Sequence, residues 1–337
     1  MSEFYTLAEV AQAHDGSLGI LHSYIDSVAD SGINAIKFQT HIAEAESSIH
    51  EPFRVKFSYE DKTRFDYWKR MEFTDSQWIE IGKHCIDRGL EFVSSPFSLR
   101  AVEILEKAGV DKYKVGSGEV SNPLLLEAIC QTGKPIIISS GLSNLQELNK
   151  AVSLIQSFGN DLIILQCTTA YPTTPDQWAL NQIKVLKETF ADYTIGFSDH
   201  SGDIYASLSA ANWGAEVFEF HVTFDQKMFG PDAKASLNFK QVEMLMRGLG
   251  QIQLALNNPV LERASSPQVQ VLKEIFEKSL AVNLDLEIGQ VIKKEFLETK
   301  KPASMGIPAQ LFENVIGKKL KVPLKKWDFL KWEHLDS

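Results

Sequence analysis

Two short runs decide the reading of this chain: Ile195-Gly-Phe-Ser-Asp-His200 and Val217-Phe-Glu-Phe-His221. Each is an apolar stretch that ends in a histidine, the pattern expected where two buried parallel strands deliver side chains to one rim. Six more runs of the same kind precede them, over residues 5–10, 35–40, 91–96, 112–117, 135–141 and 162–168, and the two that end in histidine extend over 195–200 and 217–222. Between them lie segments with the 3.6-residue apolar period: 18–32, 75–89, 99–109, 122–133, 144–158, 180–190, 204–214 and, after the last strand, 238–256. Gly32, Gly89, Gly109 and Gly133 fall where helix C-caps belong. Eight strand–helix repeats without a GxGxxG turn predict a closed (β/α)8 TIM barrel rather than an open doubly wound sheet.

The 337 residues suffice for one large domain and a small one. A net charge of −10 argues against a nucleic-acid footprint, while local lysines can still oppose the global field for a small anionic substrate. Cys85, Cys130 and Cys167 are far apart and odd in number, which excludes a disulfide framework and fits a reducing compartment. The N-terminus lacks a basic, then apolar leader, and no segment reaches membrane-span length, so a cytoplasmic location without membrane attachment is expected. The barrel is expected over residues 1–257, a linker over 258–278 around NNPVLERASSPQ, and a lysine-studded terminal domain over 279–337. The long connection 41–74, with Pro52 and the FDYW run, is expected to fold over the barrel mouth.

In such a barrel the chemistry sits at the C-terminal ends of the strands. Polar residues cluster there on every strand: Glu9; Lys37 and Gln39; Ser95 and Phe97; Lys114 and Ser117; Ser139; Thr169 and Tyr171; Ser198 and His200; Glu219 and His221. Two lysines in a mouth lined by hydroxyls make an anion site fit for a phosphate and a carboxylate. Two imidazoles with oxygen donors nearby make an open divalent-metal site that polarises a carbonyl. Glu9 and Glu219 are the acid/base candidates, with Lys37 beside them.

These residues resemble the sialic acid synthase family, whose members condense phosphoenolpyruvate with an N-acylated hexosamine to give nine-carbon 2-keto acids. The motifs, in order, are LAEVAQAHDGS, IKFQTH, VSSPFS, KYKVGSGE, IIISSGLS, LQCTTAYPT, GFSDHSGD, VFEFHVTFD and GPDAKASL. The resemblance implies that His200 and His221 bind Mn2+ or Mg2+. It assigns phosphoenolpyruvate to Lys37, Ser95, Lys114, Ser117, Ser139 and Ser198. Glu9, Gln39, Tyr171 and Asp232 would face the amino-sugar aldehyde, and Phe97, Thr169 and Lys301 complete the substrate-binding set. It also implies that residues 279–337 form an antifreeze-like SAF domain that caps the partner's barrel in a domain-swapped homodimer. Several positions depart from the family pattern, Thr169, Met228 and Ala233 among them. Residues 11–15 read Ala-Gln-Ala-His-Asp, and Lys301-Pro-Ala-Ser-Met305 stands where the family carries an arginine in RPGxG. A synthase for a different aldose, or a non-catalytic phosphosugar-binding barrel, is the alternative expectation.

Overall fold

The computed structural model describes residues 3–55, 57–259 and 266–336. The chain divides into two compact units, Met1–Asn257 and Asn258–Ser337. In the first, β1 (Tyr5–Glu9), β2 (Ala35–Thr40), β3 (Glu91–Pro96), β4 (Lys112–Val115), β5 (Ile136–Ser139), β6 (Leu162–Cys167), β7 (Thr194–Asp199) and β8 (Val217–His221) close into a parallel barrel. The helices are α1 (Leu18–Asp30), α2 (Ala43–Glu46), α3 (Arg64–Met71), α4 (Asp75–Asp87), α5 (Leu99–Ala108), α6 (Pro123–Cys130), α7 (Leu145–Phe158), α8 (Asn181–Thr189), α9 (Tyr205–Asn212) and α10 (Phe239–Asn257). The fold is the (β/α)8 barrel the sequence predicts. Two helices not read from the sequence, α2 and α3, lie inside the 41–74 connection.

Alternation along each strand sorts the residues into two cores. Outward-facing side chains such as Ala8, Ile36, Phe92, Tyr113 and Phe218 pack against the helices. Inward-facing Leu7, Ala35, Val93, Ile137, Leu165 and Val217 form one separate buried cluster that floors the barrel. Two residues further along each of those strands stand Glu9, Lys37, Ser95, Ser139, Cys167 and Glu219. Residues i and i+2 share a face, so the polar ring sits directly on the apolar floor. The parallel register aligns it, pairing Glu9 with Lys37 on one side and with His221 on the other.

On β7 the position below Ser198 is Gly196. A Cβ there would stand 2.5 Å from Leu165 Cδ2, 2.5 Å from Val217 O and 2.7 Å from Val217 Cβ. Backbone oxygen cannot step aside as a side-chain tip can. Gly196→Ala is therefore expected to destabilise the barrel by about 2–3 kcal/mol and to lower Tm by roughly 5–10 °C. A melt within about 2 °C of the parent would show that the floor tolerates a methyl group there.

In the second unit β9 (Ser279–Val282) pairs antiparallel with β10 (Leu297–Lys300). Its core is Leu280, Val282, Ile292, Ile307, Leu320 and Leu330. The sequence reads this region as rich in strands; among the described residues the rest of its pairing is isolated bridges and 3-10 turns. Within the expected linker 258–278, α11 (Pro267–Phe276) forms, started by Ser266, whose hydroxyl accepts from Val269 N–H, and by a proline in its first turn. Linker residues 260–265, like Ser337 of the terminal domain, lie outside the described residues.

Candidate active site

The polar ring encloses a chamber of ≈70 Å³, lined by Glu9, Lys37, Gln39, Ser95, Phe97, Lys114, Ser117, Ser139, Tyr171, Ser198, His200, Glu219 and His221, with Gly116 and Cys167. Thus thirteen of the side chains expected from the sequence converge on one space. Thr169 and Asp232 line a second, outer cavity of ≈370 Å³. The two cavities share Gln39, Phe97, Tyr171 and His221. Lys301 belongs to the second unit, where its ammonium lies 5.0 Å from the centre of the Phe276 ring.

The chamber is deeply buried and strongly charged. Lys37 Nζ ion-pairs with Glu9 Oε2 and lies 3.8 Å from Glu219 Oε2. Lys114 Nζ is 3.5 Å from Glu219 Oε1 and donates to Ser139 Oγ at 2.7 Å. Ser198 Oγ donates to Glu219 Oε1 at 2.8 Å, and the Ala11 N–H donates to Glu9 Oε1 at 2.8 Å. Burial alone would raise the Glu219 carboxyl. Lys114, Lys37 and the Ser198 hydroxyl outweigh it and hold the group ionised, at about 2. Burial pushes the Lys37 ammonium down to about 7, opposed by Glu219 and assisted by Lys114. Lys37 thus holds its proton less tightly than an exposed lysine does.

The two histidines stand side by side, ring centroids 5.3 Å apart. Burial drives both far below the ordinary imidazole range, to about 3, with His221 adding to the push on His200 and Lys37 to that on His221. His200 Nδ1 lies 2.9 Å from the Thr168 carbonyl, which only accepts. Nδ1 therefore carries the proton, and Nε2 keeps its lone pair. His221 Nδ1 is buried with no protein partner. Among the described residues no group of three or more His, Cys, Asp or Glu is arranged to hold a metal ion by itself. Two neutral imidazoles fit an open site in which substrate and water oxygens would complete the shell.

The outer cavity is walled by the 41–74 connection. Its His41 ring lies between Trp68, at 3.8 Å, and Phe97, at 4.5 Å, both nearly parallel to it. Glu46 Oε1 is 2.6 Å from His41 Nδ1, and His41 Nε2 is 3.1 Å from Gln39 Oε1. Gln12 Nε2 donates to that same Gln39 oxygen. With its oxygen held by Gln12, Gln39 has its amide N–H groups available to the cavity. Arg54 stacks over Tyr171, guanidinium carbon to ring centre 4.1 Å, and its Nη2 donates to Asp232 Oδ1 at 2.7 Å. The roles of Arg54, Trp68 and Glu46 are not signalled by strand-end position, because their elements fold back from a loop; His41 directly follows β2, as His200 follows β7. Asp199, at the end of β7, takes a structural part instead, accepting from Ser201 N–H and from the Ser207 hydroxyl.

Comparison with known proteins bears on this arrangement directly. The NeuB family model matches residues 24–260, and the SAF domain model matches residues 277–336. The chain belongs to the NeuB family. It is accordingly a condensing synthase, with an SAF domain at its C-terminal end. An N,N'-diacetyllegionaminic acid synthase of Campylobacter jejuni is 32% identical over 324 residues, covering 94% of this chain and 96% of the relative. The human N-acetylneuraminate-9-phosphate synthase is 29% identical over 99% of this chain and 93% of its own. A crystal structure of an N-acetylneuraminic acid synthetase from Leptospira borgpetersenii, in complex with citrate, superposes with a TM-score of 0.71 at 30% identity, covering 80% of this chain and 91% of that one. Identities near 30% to differently named synthases do not single out one product for this chain.

Proposed function

We propose that the protein condenses phosphoenolpyruvate with the open-chain aldehyde of an N-acylated hexosamine, giving a nonulosonic acid and inorganic phosphate. C3 of phosphoenolpyruvate attacks the aldehyde carbon, water adds at C2, and the tetrahedral intermediate expels phosphate by C–O cleavage. The observation that carries this reading is the two-lysine, two-glutamate chamber beside His200 and His221, opening into a cavity of sugar size.

Lys37 and Lys114, with the hydroxyls of Ser95, Ser117, Ser139 and Ser198, bind the phosphate and carboxylate of phosphoenolpyruvate. Glu219, held ionised by its two lysines, is too weak a base to carry protons. Its part is to stabilise the positive charge that develops at C2. Lys37 Nζ holds the proton delivered to the new alkoxide, and Glu9, fixed by the Ala11 N–H, keeps that ammonium in place. Gln39, Phe97, Thr169, Tyr171 and Asp232 orient the sugar. A divalent cation, Mn2+ or Mg2+, held by His200 and His221 would supply Lewis acidity toward the aldehyde oxygen.

The test is phosphate release from phosphoenolpyruvate with Mn2+ and a panel of 2-acylamino sugars and plain aldoses, with product masses. Failure of every sugar would sink the reading. Turnover of a plain aldose alone would favour the second reading, a synthase for a different aldose, which the Gln12–Gln39 contact motivates. A cytoplasmic homodimer in which Lys301 comes from the partner's SAF domain remains part of the proposal on the family resemblance. Sedimentation at the mass of one chain at micromolar concentration would refute the dimer.

A further inference from the structure

A series of hydrogen bonds leads from α2 to Gln39, and its direction is set at the α2 end. Glu46 Oε2 accepts from the Ile42 N–H at 3.1 Å, and Glu46 Oε1 lies 2.6 Å from His41 Nδ1. The carboxylate is anchored through one oxygen and offers the other to the ring. His41 Nδ1 therefore carries a proton, as His200 Nδ1 does opposite the Thr168 carbonyl. His41 Nε2 stands beside two amides, 3.3 Å from Gln12 Nε2 and 3.1 Å from Gln39 Oε1. Gln12 Nε2 donates one hydrogen to Gln39 Oε1 and has a second for the Nε2 lone pair of His41. Glu46, His41, Gln12 and Gln39 thus form one series in which each donor meets an acceptor. The Gln12 oxygen and the Gln39 N–H groups take no part in it, and both residues line the outer cavity. The ring that transmits this order is buried and held flat between Trp68 and Phe97.

We propose that Glu46 and His41 are positioning residues for the acceptor substrate: the carboxylate fixes the tautomer of the ring, and the ring fixes which way the Gln12 and Gln39 amides face. The assignment rests on the reaction proposed above and adds to it two residues that act through others. A carboxamide at position 46 has one acceptor oxygen where the carboxylate has two. The Ile42 N–H takes that oxygen, and the amide N–H2 then turns to His41 Nδ1. The ring proton moves to Nε2, where it opposes the Gln12 amide hydrogens. One isosteric change thus reverses the series with almost no change in packed volume.

The experiment uses the full chain with Mn2+, phosphoenolpyruvate and a 2-acylamino sugar of the panel that turns over. Glu46→Gln is expected to raise KM for the sugar about ten-fold, with kcat and KM for phosphoenolpyruvate within about two-fold of the parent. His41→Phe keeps a flat ring between Trp68 and Phe97 while removing both nitrogens, and the same split is expected of it. The double variant is expected to lose no more than about two-fold beyond either single one, because both cut the same series. An unchanged sugar KM in either single variant, a fall in kcat alongside it, or additive losses in the double variant overturns the proposal. If no sugar turns over, the reaction falls, yet the ring itself still decides the assignment. Nitrogen NMR of labelled histidine is expected to find the His41 proton on Nδ1 in the parent and on Nε2 in Glu46→Gln. Any other pattern overturns it.

Discussion

Lys37→Met is expected to lower kcat/KM for phosphoenolpyruvate by at least about a thousand-fold. Two losses combine. The substrate anion loses a desolvated cation, and the alkoxide loses a proton donor that burial has brought down to about 7. The variant also leaves Glu9 and Glu219 buried, with Glu9 deprived of its cation. Breaking one member out of a buried ionic cluster costs roughly 3–5 kcal/mol at neutral pH. The sign of the accompanying pH dependence follows from burial and like charge, which lift a carboxyl above its unfolded value. Such a group binds a proton in the folded state that the unfolded chain has released. Its stabilising effect is complete below the unfolded pKa and disappears as pH rises through the folded one. The melting temperature of Lys37→Met, relative to the parent, is therefore expected to fall as pH rises. Activity within about ten-fold of the parent, in an assay of phosphate release, would remove Lys37 from both roles.

Removing divalent metal with a chelator is expected to lower turnover by about a thousand-fold, with Mn2+ restoring it. A measurement independent of turnover is Mn2+ affinity by calorimetry, which His200→Ala is expected to weaken by about 100-fold. The argument rests on ring chemistry. His200 is pinned by the Thr168 carbonyl so that Nε2 keeps its lone pair, and both imidazoles are neutral at working pH. Full activity in chelator would make the histidine pair a neutral hydrogen-bonding element instead.

The barrel was legible because buried parallel strands are written as continuous apolar runs, and because glycines mark helix ends. Gly32, Gly89, Gly109 and Gly133 all adopt positive φ where the periodic segments stop. The inner chamber was legible for a related reason: strand ends of a barrel meet at one rim, so position along a strand implies position in space. That argument fails for Arg54, whose partner Asp232 is 178 residues away, and for Trp68, whose ring stacks on His41 from α3. Loop residues meet through long-range packing, which has no period. Helix α11 was hidden by its own start: Ser266 and Pro267 read as linker punctuation, while in place they are its cap and first turn.

The nesting of the two cavities imposes a timetable. The apolar floor shuts the inner chamber from below, and Gln39, Phe97, Tyr171 and His221 wall both spaces. On the reaction proposed above, a sugar seated in the outer space stands against the inner one across those shared walls. The three-carbon acid is then expected to bind before the sugar, and an unreactive sugar analogue is expected to slow its release rather than compete for its place.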